Sequence, residues 1–320
     1  MNKATATLPA IAFYMPRWMY WLNASDRAFA KELVAAIAGS GRYRPLTIQL
    51  PSLRLTSAAD TRAFCERNSI VLVVQHDSMF YSNKARYRRN VEWLEACVPF
   101  INSTKAQTIG HNKITTKRVL RERGIPVLDE RIVHSVQELA AAVEDGTWYV
   151  LKPPHLGAGR GVKLITRGQG KLLEYQNGKW RALRAKDFVY DSMMLEPYFN
   201  DDAEGFASLR CTVIGSEVAE AVKRVNAKNI TSNVSSGGRA QKVELSQVQK
   251  EMAVAAMRAI GAEYAGVDLL VSGNKSVVGE INIGPFTIFG KYTGVPVGRI
   301  FADYLIKRCD GAGCENRTRA

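Results

Sequence analysis

No apolar run in this 320-residue chain approaches the roughly 20 residues that a membrane-spanning helix needs. Met1 to Pro9 carry one lysine and no apolar stretch leading to a small-residue cleavage site, so no secretory signal is expected. Cysteine is sparse and odd in number. Cys65, Cys97, Cys211, Cys309 and Cys314 are scattered, and no pair has zinc or redox spacing, which predicts reduced thiols in a cytoplasmic protein. Internal repeats, low-complexity segments and RNA-binding signatures are also missing. With 46% hydrophobic and 23% charged residues, the composition excludes disorder and collagen-like structure and predicts a well-buried core.

Negative charge is in short supply. Thirty Asp and Glu face 44 Lys and Arg, leaving a net charge of +14. Such an excess favours anionic partners: a nucleotide, a nucleic acid, an acidic peptide or an anionic surface. The basic residues are spread along the whole chain, so charge alone names no partner. The cluster Lys84, Arg86, Arg88 and Arg89 is read as a solvated helix face, and neither membrane nor nucleic acid is expected as a partner. Tyr14, Trp18, Tyr20 and Trp21 with Arg17 form an aromatic patch, read as a buried core edge rather than a pocket.

What is present is alternation. Strand-like runs at Ile11 to Tyr14, Leu46 to Leu50 and Ile70 to Val74 are interleaved with helical patterns at Asp26 to Ile37, Ala58 to Asn68 and Lys84 to Cys97. This predicts a parallel sheet with helices on both faces, a doubly wound α/β N-terminal domain. Helices are then expected at Lys113 to Arg123, Val136 to Val143, Gln247 to Ile260 and Arg299 to Lys307. Strands are expected at Trp148 to Lys152, Val162 to Thr166, Met193 to Phe199, Leu209 to Ile214, Val267 to Val271 and Ser276 to Ile281. Leu172 to Leu183 reads as a basic hairpin turning at Asn177-Gly178, and Cys309 to Ala320 as a frayed polar tail.

Three groups of residues bear chemistry. Gly157-Ala158-Gly159-Arg160-Gly161 follows Lys152 and opens into a strand, which excludes Rossmann and Walker loops because both open into a helix. A flap over a triphosphate and an ordinary hairpin turn both fit that stretch. Glu280 and Asn282 are two apart in one strand and share a face, with Asp268 in the preceding strand. Three oxygen-bearing side chains on otherwise apolar strands favour magnesium over an ordinary half-exposed sheet. Arg210, Lys223-Arg224, Asn233 and Gly237-Gly238-Arg239 form a third, basic group. Taken singly, these are better read as solvated strand ends.

Taken together, these ordered motifs resemble the ATP-grasp carboxylate–amine ligases, nearest to the branch of the ribosomal-protein glutamate ligase, the lysine-biosynthesis carrier-protein ligase and glutathione synthetase. The resemblance runs from about Asn102 to Lys307. It implies an α+β ATP-grasp fold: an N-terminal domain over 1–103, a central subdomain with a glycine-rich flap over 104–195, a C-terminal subdomain with the metal site over 196–308, and a tail over 309–320. It also implies ATP and Mg2+ as cofactors, with Mn2+ as an alternative ion. Lys113 and Lys152 look like the two nucleotide-phosphate lysines, joined by the backbone of Gly157, Gly159 and Gly161. Glu196 and Phe199 fall on the hinge that holds adenine; Asp202 or Glu204 is the ribose acid; Asn233 joins the nucleotide set. Arg210 and Arg224, with the Gly238 backbone, take the catalytic places near an acyl phosphate, and Asp268, Glu280 and Asn282 those of the metal ligands.

The chain departs from the family's pattern at Ser208, where an aspartate is common, and at Thr231, where the branch often has arginine. It departs again at Phe286, where glycine often follows the proline, and in the hairpin at Asn177-Gly178. The expectation is the same chemistry on a different substrate: ATP-dependent amide or peptide bond formation on an acidic peptide, a carrier protein or an amino acid. A small-metabolite ligase is the alternative, and a non-catalytic ATP-binding or nucleic-acid-binding protein the rival of another class. Members of the family often form dimers or tetramers, so a homo-oligomer is among the expectations.

Overall fold

The computed structural model describes residues 8–15, 24–49, 53–75, 85–157, 159–176, 178–184, 188, 190–234, 237–284 and 289–311. Arg17, Trp18, Tyr20, Trp21, Lys84, Ala158, Asn177, Pro285, Phe286 and residues 312–320 lie outside them, as does the Arg86 side chain. Among the described residues no helix is long and apolar enough to cross a membrane.

The first sheet is parallel. It contains β1 (Ala10–Met15), β2 (Arg44–Gln49), β3 (Ile70–Gln75) and β4 (Phe100–Ile101), in the order β2-β1-β3-β4. Side chains alternate across a strand, so β1 feeds two cores. Ile11 and Phe13 pack with Phe29, Leu33 and Ile37 of α1 (Ala24–Gly39). Ala10, Ala12 and Tyr14 pack with Cys65 of α2 (Ala58–Arg67) and with Val91 and Leu94 of α3 (Ala85–Cys97). Helices on both faces explain why β3 is apolar without alternation.

Two helices follow: α4 (Thr104–Gly110) and α5 (Lys113–Glu122). The sequence pattern predicts α5 but not α4, a seven-residue helix of mostly polar residues held by its Ser103 cap, whose Oγ accepts from Ala106 N at 3.2 Å. A six-stranded antiparallel sheet comes next: β5 (Arg131–Val133), then α6 (Val136–Ala142), β6 (Tyr149–Lys152), β7 (Lys163–Gly168), β8 (Lys171–Gln176), β9 (Lys179–Ala182) and β10 (Met193–Pro197). Its order is β5-β10-β6-β7-β8-β9. The expected boundary at 195 falls inside β10, where Glu196 pairs with Val150 and Pro197 with Tyr149.

The last sheet is antiparallel, in the order β13-β12-β11-β14-β15. Its strands are β11 (Phe206–Ile214), β12 (Glu217–Asn226), β13 (Arg239–Lys242), β14 (Tyr264–Ser272) and β15 (Lys275–Ile283), with α7 (Gln247–Ala259) packed on it. Ala106 and Leu120 sit in this same core with Val267 and Ile281, and Val278 N donates to Pro126 O at 2.8 Å. α4 and α5 therefore pack with the five-stranded sheet rather than with the six-stranded sheet that follows them in sequence. After α8 (Gly290–Thr293), α9 (Val297–Asp310) runs longer than its pattern predicts. Phe301 stacks on Tyr264 with ring centroids 4.3 Å apart, joining the parallel sheet to the five-stranded one. Cys309 is buried in this helix, so the tail does not begin there.

Candidate functional site

Between the two antiparallel sheets lies an open cleft lined by residues of both. One end is apolar, walled by Leu128, Val150, Pro197, Phe206 and Leu270, with Tyr198 and Phe199 at the turn out of β10. Asn200 shapes that turn: its Nδ2 donates to Tyr198 Oη and Gly205 O, each at 2.9 Å, and its Oδ1 accepts from Ala207 N at 3.2 Å. The Glu196 side chain faces inward, 2% exposed, between Lys152 Nζ at 2.8 Å and Lys117 Nζ at 2.7 Å. Burial pushes its pKa up, and the two lysines outweigh burial and hold it below its ordinary value.

Lys113 opens α5 behind its Asn112 cap, and Nζ reaches Leu156 O at 2.5 Å and Glu280 Oε1 at 3.3 Å. The glycine stretch joins β6 to β7, and Gly159 lines the cleft. At Gly159 (φ +72°) a Cβ would stand 2.5 Å from Thr231 Cγ2 and 3.2 Å from Asn233 Nδ2, so the loop backbone presses directly on the 229–233 segment. Gly159→Ala is expected to hold this flap open. It meets both the clash and the left-handed backbone penalty, and should weaken nucleotide binding at least about tenfold without lowering the melting temperature; titration with a fluorescent ATP analogue checks this.

The polar end is built across four strands. Asp268 on β14 pairs in register with Glu280 on β15, and Asn282 lies on the same face opposite Gly266. Arg210 on β11 is the register partner of Asp268, and Arg224 on β12 that of Ser208. Both guanidiniums close on the Asp268 carboxylate. Arg210 binds through Nε and through Nη2 at 3.0 Å, and Arg224 through Nη2 at 2.9 Å. Gly266 permits this crossing, because a Cβ there would stand 2.8 Å from Arg210 Nη1. Burial raises the Asp268 pKa and the two arginines overturn that, holding it below the usual carboxylate range. Arg224 also donates to Ser208 Oγ at 2.8 Å and to Asn233 Oδ1 at 3.1 Å, and Ser208 shares a 2.6 Å hydrogen bond with Ser232.

Not every expected residue reaches the cleft. Lys113, Lys152, Gly159, Glu196, Phe199, Arg224, Asn233, Asp268 and Glu280 line it; Gly157, Gly161, Arg210 and Asn282 stand behind or beside it. Gly238 is outside the cleft lining, and its N–H donates to Asn233 O at 3.1 Å. Asp202 and Glu204, the two candidate ribose acids, are ion-paired at the cleft's edge. Lys223 holds Asp202, and Arg239 holds Glu204 at 2.8 Å, outside the cleft lining. Lys117 escaped the sequence pattern, although its place four residues after Lys113 puts both on one helix face. Asn200 and Ser232 carried no signal.

The family model of the RimK-like ATP-grasp domain matches residues 110–305, well over half of the 320 residues. This chain belongs to that family. Among its relatives, a probable alpha-L-glutamate ligase of Picosynechococcus sp. is 30% identical over 210 residues, covering 64% of this chain and 66% of that protein. A tetrahydromethanopterin:alpha-L-glutamate ligase of Methanocaldococcus jannaschii is 26% identical over 200 residues, 61% of this chain and 65% of that one. The match thus spans just under two thirds of these relatives' own length. The fold is that of solved ATP-grasp ligases. PsnB bound to a minimal precursor superposes with TM-score 0.62 at 18% identity, over 94% of this chain and 100% of that one. D-cycloserine synthetase DcsG gives 0.63 at 15% identity, over 93% and 99%.

Among the described residues no three His, Cys, Asp or Glu side chains group as a metal site. The set that the ATP-grasp resemblance points to as metal ligands is two carboxylates completed by an amide. It fits a hard cation. Glu280 faces the cleft with its side chain 32% exposed, and Asn282 offers an amide oxygen from the same face of β15. A carboxylate offers about four lone-pair positions, so the three arginine donors on Asp268 leave it capacity for one more contact. An all-oxygen set suits magnesium and manganese alike.

Proposed function

We propose that this ATP-grasp protein is an ATP-dependent carboxylate–amine ligase. The observation that carries the proposal is the meeting, in one cleft, of two lysines (Lys113 and Lys152), a carboxylate pair (Asp268 and Glu280) and a buried arginine (Arg224) beside an apolar pocket. A nucleotide base suits the apolar end, and a polyphosphate suits the end where the cations converge. The substrate carboxylate attacks the γ-phosphate, forming an acyl phosphate and releasing ADP. An amine then adds to the acyl carbon, and inorganic phosphate leaves as the amide forms.

In this scheme the chain supplies position and charge rather than a strong base. Lys113 and Lys152 neutralise phosphate oxygens; Arg224, aimed by Asp268 and Ser208, faces the acyl phosphate and the oxyanion of the tetrahedral intermediate. Asp268, Glu280 and Asn282 would hold a divalent cation, which supplies further neutralisation of the phosphates when bound. For the amine we propose an α-amino acid, glutamate first, since two relatives are named as glutamate ligases. The +14 charge favours an acidic carboxylate partner.

The test is magnesium-dependent ADP release from ATP with glutamate present and cell extract split by size. Release driven by the metabolite fraction identifies a small-molecule acceptor by product mass. Release driven only by the macromolecular fraction identifies a peptide or protein acceptor. Absence of MgATP binding by the protein itself would refute the ligase reading.

A further inference from the structure

Two lysines leave one face of α5 four residues apart and end in different surroundings. Lys113 enters the cleft, whereas Lys117 is 3% exposed and points into the protein behind it. Its Nζ donates to Leu128 O at 2.7 Å and pairs with Glu196 Oε1 at 2.7 Å. The other oxygen of Glu196, Oε2, pairs with Lys152 Nζ at 2.8 Å. One buried carboxylate is thus shared between a lysine that lines the cleft and one that does not. Glu130 is the next acid, 3.9 Å from Lys117, and Arg121 already holds it at 2.7 Å.

The charge count has a consequence for the cleft. Glu196 with Lys152 alone would be a closed, neutral pair, and a phosphate would compete with a full carboxylate for the Lys152 ammonium. With Lys117 on the opposite oxygen, the buried group carries a net charge of about +1, and low local dielectric makes that charge felt nearby. Burial, joined by the nearby Lys152 ammonium, brings the Lys117 pKa below its ordinary value, while the Glu196 and Glu130 carboxylates oppose that and favour the charged form.

We propose that Lys117 is a positioning residue for nucleotide binding: by neutralising Glu196 from behind the cleft, it frees the Lys152 ammonium for a nucleotide polyphosphate. The proposal rests on the reading of the cleft as an ATP site. It requires that Lys117 act through Glu196, so the two positions must be coupled.

The experiment titrates MgATP calorimetrically into the full chain and four variants: Lys117→Met, Lys117→Arg, Glu196→Gln and Lys117→Met/Glu196→Gln. Thermal unfolding is recorded for each. Lys117→Met is expected to weaken MgATP about tenfold, as a lost network partner does. Lys117→Arg keeps the charge and should stay within about threefold of wild type. The double variant removes the buried carboxylate along with its partner and should match Glu196→Gln within about threefold. A folded Lys117→Met protein that binds like wild type overturns the proposal. If Lys117→Met does not fold, the double variant decides, because a tenfold gap between it and Glu196→Gln would show that Lys117 acts independently of Glu196. A wild-type protein that binds no MgATP removes the ATP-site reading itself, and this proposal with it.

Discussion

Glu280→Gln is expected to lower magnesium-dependent ADP release at least about a hundredfold while moving the melting temperature by only about 2 °C. The substitution keeps the size of the side chain and one of its oxygens, and removes one negative charge. On the structural side little depends on that charge. Glu280 is partly exposed at the cleft wall, and its 3.3 Å pair with Lys113 is the half-solvated kind that contributes little to stability. For function the charge matters more. It is one of two carboxylates in the oxygen set around which phosphates and cation would assemble, and a neutral amide holds a hard divalent ion less strongly than a carboxylate does. Lys113 would also lose the partner that aims it. ADP release measured across a magnesium series, beside thermal unfolding, separates the two effects. A Glu280→Gln protein that turns over normally would sink the metal assignment.

Asp268→Asn should fail on both counts, losing turnover and about 3–5 kcal/mol of stability. Asp268 is buried with two guanidiniums on it, from Arg210 and Arg224. Removing the carboxylate leaves two cations in the interior without an anion, which costs more than the pair contributes. The acid limb of the stability curve tests the same point. The folded pKa of Asp268 is depressed from its ordinary 3.8. Its contribution is therefore fully present above that value and is lost as pH falls below it toward the folded pKa. Urea unfolding at neutral pH should show the deficit, and the gap between wild type and Asp268→Asn should narrow below about pH 4. A variant as stable as wild type at neutral pH would mean that the arginines find water or another anion. The clamp would then have no structural role.

Much of this was legible in the residues because the rules involved act over a few positions. Period-two alternation put Glu280 and Asn282 on one face, and Asp268 pairs in register with Glu280 on the neighbouring strand. The parallel sheet covered on both faces follows from uninterrupted apolar strands between helical patterns. Asn112, Ser57 and Ser246 cap helices that begin where the periodicity says they should. Short elements were lost. α4, β5 and β13 have too few residues to show a period, and each is held by tertiary packing or strand pairing rather than by its own propensity.

The sequence by itself determined the order of the longer strands and helices, the glycine-rich connection between β6 and β7, and the residue types that line the cleft. Tertiary structure alone decided which charge answers which. Arg210 and Arg224 could be read as solvated strand ends until β11 and β12 laid them beside β14 and closed both on Asp268. Nothing in the sequence pairs Glu204 with Arg239, or the Gly238 amide with the Asn233 carbonyl. Lys117 looked like any helix-face lysine until the fold brought α5 beside β10 and set it on Glu196. The physical reason is common to all four. Side-chain periodicity is local, whereas an ionisable or polar group takes its partner from whatever the fold brings within about 3 Å, regardless of distance along the chain.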